Sequence, residues 1–158
     1  MSGSFSNLNY KNQIQLGWSL AWYPLGNTNF YCYTNVIGFF EGDNSRVIFQ
    51  QHLGGRLFPR LWLEGSAIIG DLTNANLSNG YIIYNNTDKI NYRLGANLDL
   101  MISKKIHLSL IYQYFSNESV QTYYVMNGSD QTGTTTYPAT KFNKYQTHTI
   151  IGGLTWKF

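Results

Sequence analysis

Three residues around one short turn have the types that a hydrolase uses. Asp99, His107 and Ser109 fall on one face of two consecutive extended segments, beside the turn Ser103-Lys104-Lys105. A serine activated by a histidine that a carboxylate orients is the chemistry those types support. The same pattern arises on any polar strand face, because residues i and i+2 of a strand share a face. The reading therefore assigns no catalytic residue and expects no enzyme. Arg46, His52, Arg56, Glu64, Arg93, Asp99 and His107 alternate with apolar positions and form a wider polar set. Enclosed charges must be paired and hydrogen-bonded. This set is expected to be a polar network, with Glu64 meeting His52 or an arginine. His52, His107 and His148 lack metal-ligand spacing, and Cys32 is the only cysteine. No metal and no cofactor is expected. His148 falls in the apolar phase of its segment and is read as an interface residue.

The elements that must hold these residues alternate with a period of two, the signature of strands. In residues 10–23, Ile14, Leu16, Trp18, Leu20 and Trp22 oppose Gln13, Gln15, Gly17, Ser19 and Ala21. In residues 90–100, Ile90, Tyr92, Leu94, Ala96, Leu98 and Leu100 oppose Asn91, Arg93, Gly95, Asn97 and Asp99. Further strands are expected over 30–40, 46–57, 61–70, 80–84, 106–114 and 149–158. Aromatics occupy both faces of residues 30–40 and leave that register open. Turns at Pro24–Thr28, Glu41–Ser45 and Phe58–Arg60 separate the strands. The polar stretch 117–144 reads as a long extracellular loop, within which Tyr123-Tyr124-Val125-Met126 extends the hairpin.

Eight strands in 158 residues make one domain, 1–158, and an even number suits closure. Charged residues make up only 12% and aromatics 16%, including 13 Tyr. Soluble domains are about 25% charged. No segment reaches the ~20 apolar residues of a membrane helix. A polar lumen, an apolar outside and aromatic girdles define an all-β, eight-stranded antiparallel up-and-down transmembrane β-barrel. Tyr10 and Trp22 are about 30 Å apart along the membrane normal at ~3.3 Å per residue and ~40° tilt. With Tyr92, Trp156 and Phe158 they are the expected girdle residues. The eleven basic residues are scattered, which argues against nucleic acid as a partner.

The closing Leu154-Thr155-Trp156-Lys157-Phe158 resembles the C-terminal signal of Gram-negative outer-membrane β-barrels. Leu61-Trp62-Leu63-Glu64-Gly65, Tyr84-Asn85-Asn86-Thr87-Asp88 and Tyr92-Arg93-Leu94-Gly95 are similar to stretches of uncharacterised outer-membrane proteins. The resemblance implies an outer-membrane location, contact with outer-membrane lipid and recognition of the Phe158 end by the barrel-assembly machinery. His107-Leu108-Ser109 also resembles the His-x-Ser of outer-membrane lipid A deacylases, but Leu110-Ile111-Tyr112 stands where that family has Asn-Ala-Gly. The opening Met1–Ser6 has neither a basic nor an apolar signal region, so the chain is expected to be a mature form or part of a longer protein.

Function then falls to the filled polar lumen as a structural plug, or to the long loop. Tyr123, Tyr124 and Tyr137 among small polar residues are the binding candidates there, for an extracellular protein or glycan. Two alternatives stay open: a soluble eight-stranded barrel binding a small apolar ligand, and the C-terminal strands of a larger outer-membrane pore or transporter.

Overall fold

The computed structural model describes residues 1–8, 10–77, 82–84, 88–126 and 136–157, with side chains for all of these except 124–126 and 136–138. Ten strands form in order: β1 (Ser2–Leu8), β2 (Lys11–Trp22), β3 (Phe30–Glu41), β4 (Asn44–Phe58), β5 (Leu61–Ile69), β6 (Asn76–Leu77), β7 (Ile82–Ile83), β8 (Lys89–Met101), β9 (Ile106–Met126) and β10 (Thr136–Trp156). Eight of them make one antiparallel up-and-down sheet in the order β1-β2-β3-β4-β5-β8-β9-β10. Among the described residues no ladder joins β1 to β10, so the sheet has two edges. Among the described residues no helix is long and apolar enough to cross a membrane.

The count of eight matches the expectation, but its membership differs. Of the expected strand 80–84, residues 80–81 lie outside the described residues and 82–84 do not join the sheet. Of them, Ile82–Ile83 pairs only with Asn76–Leu77, as a separate two-stranded unit. β1 takes the vacant place and pairs with β2 from Ser2↔Gly17 to Leu8↔Lys11. Its single large apolar outward residue, Phe5, gives no periodic signal. Exchanging one strand for another reverses the expected direction of every strand before β8. β5 consequently runs beside β8 directly, from Leu61↔Leu100 to Ile69↔Tyr92.

The two faces differ sharply. Gln13, Gln15, Asn35, Phe39, Glu41, Ile48, Gln50 and Ile68 are buried on the inner face. Ile14, Leu16, Trp18, Leu20 and Trp22 are 48–60% exposed on the outer face. The register also settles β3. Asn35↔Gln50, Ile37↔Ile48 and Phe39↔Arg46 share the inner side, while Val36 and Phe40 face outward.

A β-bulge changes one expected assignment. The register of β8 against β9 shifts between Ile90 and Tyr92, so Asn91 is the extra residue. A bulge changes the phase of the side chains on either side of it. Ile90 therefore turns inward and is 2% exposed, instead of sharing the outer face with Tyr92.

The stretch 117–144 also differs from a loop. β9 and β10 stay paired from Ile106↔Trp156 to Met126↔Thr136, a long two-stranded ribbon. Beyond the Tyr114↔His148 pair both faces turn largely polar, as at Ser116↔Gln146 and Glu118↔Lys144. Such a strand carries no apolar alternation and reads as a loop. Residues 127–135 and Phe158 lie outside the described residues.

Candidate functional site

The described parts of the connection from β5 to β8, residues 70–77 and 82–84, fold inward and cover the ribbon end of the inner face. Its entry depends on Gly70, where φ is 127° and a Cβ would lie 2.6 Å from the Val47 carbonyl oxygen. Only glycine tolerates that conformation at that distance. Leu72, Ala75 and Leu77 then reach 0–1% exposure against Ile37, Ile48, Ile68 and Ile90. Tyr84 and Phe115 pack around this cluster. The backbone bonds Gly70 N to Asn91 O at 3.1 Å and Leu72 N to Ile90 O at 3.0 Å tie the insert to β8.

Side chains of the sheet also hold the insert. Arg46 donates to the Thr73 carbonyl and lies 3.9 Å from Asp71 and 3.7 Å from Glu41. Its guanidinium stacks 3.8 Å from the Phe39 ring centroid. Glu41 in turn accepts from Gln13 at 3.2 Å and pairs with Lys11 at 3.1 Å. From β8, Arg93 donates to the Tyr84 hydroxyl at 3.0 Å. With its amide in the orientation that satisfies both atoms, Gln15 donates to Asn76 O at 2.6 Å and accepts from Asn76 N at 3.0 Å. The predicted arginines 46 and 93 thus hold the insert rather than meeting Glu64 or Asp99. Arg56 is exposed at the opposite end of β4.

A second cluster lies toward the C-terminal end of β10. His52 Nδ1 is 3.4 Å from Glu64 Oε1, the pairing expected across the β4–β5 hairpin. Tyr31 donates to the other carboxylate oxygen of Glu64, and Asn97 donates to Oε1 at 3.4 Å. Tyr31 is on β3 and Glu64 on β5, so the phenol must cross β4. It crosses at Gly54, where a Cβ would overlap the Tyr31 ring. Gly54→Ala is therefore expected to destabilise the fold by about 1–3 kcal/mol through overpacking. A urea titration should show the loss and its partial recovery in Gly54→Ala/Tyr31→Ala. An unchanged midpoint in Gly54→Ala would refute the crossing.

The hydrolase residues are only partly assembled. Ser109 and Asp99 are cross-strand neighbours, and Ser109 donates its hydroxyl to Asp99. His107 sits opposite Met101 and Thr155. Among the described residues it has no side-chain hydrogen bond to Ser109 or Asp99. The serine hydroxyl thus meets the carboxylate directly, without the histidine between them.

Between the two polar clusters lies a cavity of about 810 Å³, with Ser4, Gln15, Ser19, Asn35, Gln50 and His52 among its lining residues. The inner face is thus apolar and packed under the insert, and polar and hollow beside β1. Among the described residues no group of three or more His, Cys, Asp or Glu side chains is placed to hold a metal ion.

On the outer face, Tyr92, Tyr112, Tyr114 and His148 cluster at the ribbon edge of the apolar surface. Tyr114 and His148 meet edge to face at 5.1 Å, and the Tyr112 hydroxyl is 2.8 Å from His148 Nδ1. Trp22 and Trp156 stand at the opposite edge, 60% and 63% exposed. Tyr10 is in the β1–β2 turn with a φ of 63°, beyond the strands proper. Tyr123 is 49% exposed on β9. Tyr124 and Tyr137 lie in the ribbon opposite Pro138 and Val125, and their side chains are outside the described residues.

Sequence reasoning missed the insert and the Tyr31–Gly54–Glu64 crossing. Leu72, Ala75 and Leu77 are spaced too irregularly to show a face. The only trace of the crossing was Gly54-Gly55 within a strand, where glycine marks close packing. Compared with models of protein families, with curated proteins and with solved structures, the chain matches none.

Proposed function

We propose that this chain is a Gram-negative outer-membrane β-barrel protein, with a structural or binding role exercised through the β9–β10 ribbon and without catalytic activity. One observation carries the reading: the exposed outer face is apolar across the sheet, while the enclosed face joins polar clusters to an apolar core under the insert. Leu16, Val47, Leu63, Leu94, Leu110 and Leu154, from six different strands, are 40–67% exposed. Contiguous apolar surface of this extent marks contact with lipid or protein. On β9 the surface runs from Ile106 to Tyr114, nine residues and eight steps, or about 20 Å at the tilt of a membrane strand. The soluble alternative requires the reverse arrangement, an apolar inside and a polar outside.

In this reading β1 and β10 meet to close the barrel, because an open sheet edge in hydrocarbon leaves backbone groups unsatisfied. The C-terminal end of β10 faces the periplasm. The inserted connection and the ribbon lie on the extracellular side. The insert stops the lumen at that side, so the barrel is a plug rather than a channel. Tyr123 and its neighbours on the ribbon then present the surface for an extracellular protein or glycan.

The test is refolding into detergent micelles. A β-rich circular dichroism spectrum together with different gel mobility of boiled and unboiled samples is expected. A chain that folds in water without detergent would sink the reading. The unpaired edges of β1 and β10 favour a second reading, in which these strands belong to a larger barrel. That version predicts detergent-soluble chains with no heat-modifiable band.

A further inference from the structure

We infer that the C-terminal end of the sheet carries a docking surface for anionic lipid headgroups, an inference that rests on the membrane reading above. Five basic residues gather at this end: Arg56 near the end of β4, Arg60 in the β4–β5 turn, Lys104 and Lys105 in the β8–β9 turn, and Lys157 after β10. All five are exposed. Four are held side by side by the backbone. Met101 N donates to Arg60 O at 2.8 Å, the Arg60 guanidinium reaches Ile102 O at 3.4 Å, and Lys157 N donates to Lys105 O at 2.8 Å. Three segments distant in sequence thus form one continuous basic rim.

Among the described residues none of the five enters an ion pair. Toward this end, Glu64 and the exposed Asp99 are bonded to Tyr31, His52 and Ser109. The ribbon end is built differently. Lys11 and Arg46 share Glu41, and Lys89 and Lys144 both stand opposite Glu118. A net positive field is therefore confined to one end of the sheet.

The rim also lies where headgroups would be. Leu57, Phe58, Ile102 and Trp156 are 48–65% exposed beside it, at the edge of the apolar surface. Cations just beyond an apolar band edged with tryptophan meet the phosphate layer of the adjoining leaflet. Each lysine or arginine so placed favours an anionic surface through electrostatic attraction that salt weakens. A phosphate bearing net negative charge, as in phosphatidylglycerol, fits this surface better than a zwitterionic headgroup.

The experiment compares spin-labelled phosphatidylglycerol with spin-labelled phosphatidylcholine at the surface of the full chain reconstituted in phosphatidylcholine vesicles. The motionally restricted fraction measures the relative affinity. Wild type is expected to prefer phosphatidylglycerol by about fivefold or more at low salt. The preference should fall to near parity in R60Q/K104Q/K105Q/K157Q, and also in K104Q/K105Q/K157Q, which keeps the Arg60–Ile102 bond. It should persist in K89Q/K141Q/K144Q at the ribbon end. Equal affinity in wild type, or a preference that survives removal of the rim, would overturn the inference while leaving the membrane reading intact. Absence of any restricted lipid component would overturn both.

Discussion

Leu110→Arg is expected to lose about 2–4 kcal/mol of folding stability in a bilayer or micelle, the cost of a cation at the midplane of a barrel's lipid face. Leu110 sits halfway along the outward apolar run of β9 from Ile106 to Tyr114, between Leu98 on β8 and Gly152 on β10. It is 44% exposed, so an arginine fits without a clash and only its surroundings decide the outcome. In water the same change at an exposed strand position is worth no more than about 0.5 kcal/mol in either direction. Its magnitude therefore separates lipid from water at this face. The measurement is the urea midpoint of the folded band in micelles. Thr122→Arg, exposed on the ribbon beyond Tyr114, is the control and should leave the midpoint in place. If Leu110→Arg is as stable as the parent chain, the outer face does not contact hydrocarbon.

What the sequence disclosed follows from which interactions repeat. The strands with an apolar outward face, such as Ile14–Trp22 and Leu94–Leu100, announce themselves because each second residue meets the same environment. The sequence left Glu64 open between His52 and an arginine, because a bulge between Arg56 and Phe58 shifts the register that the β4–β5 turn alone would set. β1 stayed hidden because Ser2, Ser4 and Ser6 alternate with only one large apolar residue, Phe5. The outer half of the β9–β10 ribbon stayed hidden because both of its faces are largely polar. The insert could not be read at all. Leu72, Ala75 and Leu77 are buried by Ile37, Ile48, Ile68 and Ile90, which come from four strands scattered over a third of the chain. No local period records a contact of that kind. The same holds for Tyr31 and Glu64, which are 33 residues apart and depend on a glycine of the strand between them. The error at Ile90 has a different origin. A single extra residue, Asn91, shifts the phase of the strand, and nothing in the local alternation marks it.

The insert supplies the other large effect. Leu72 is fully buried, and truncating such a leucine costs about 2–5 kcal/mol. The question is where that cost is felt. The insert joins the sheet through one apolar cluster, a few backbone bonds and the side chains of Arg46, Arg93 and Gln15, whereas the strands are held by continuous ladders. Elements with so few attachments open before the rest of a fold does. Leu72→Ala is therefore expected to release the insert while the ladders persist. Amide exchange at Leu72, Ala75 and Tyr84 should accelerate about 30- to 4,000-fold, the range equivalent to that cost. The β4 and β5 amides paired around His52 should keep their protection. Arg46→Ala acts on the same element by a different route. It removes the cation between Glu41 and Asp71 and leaves those carboxylates to repel each other. Its effect on the three insert amides should be of the same kind, and the double variant should show less than the sum, because an insert already released cannot be released again. If exchange at these amides is unchanged in Leu72→Ala, the insert is not packed on the inner face. If every amide in the sheet accelerates together, the insert belongs to the same cooperative unit as the ladders, and its burial supports the whole sheet rather than only stopping its interior.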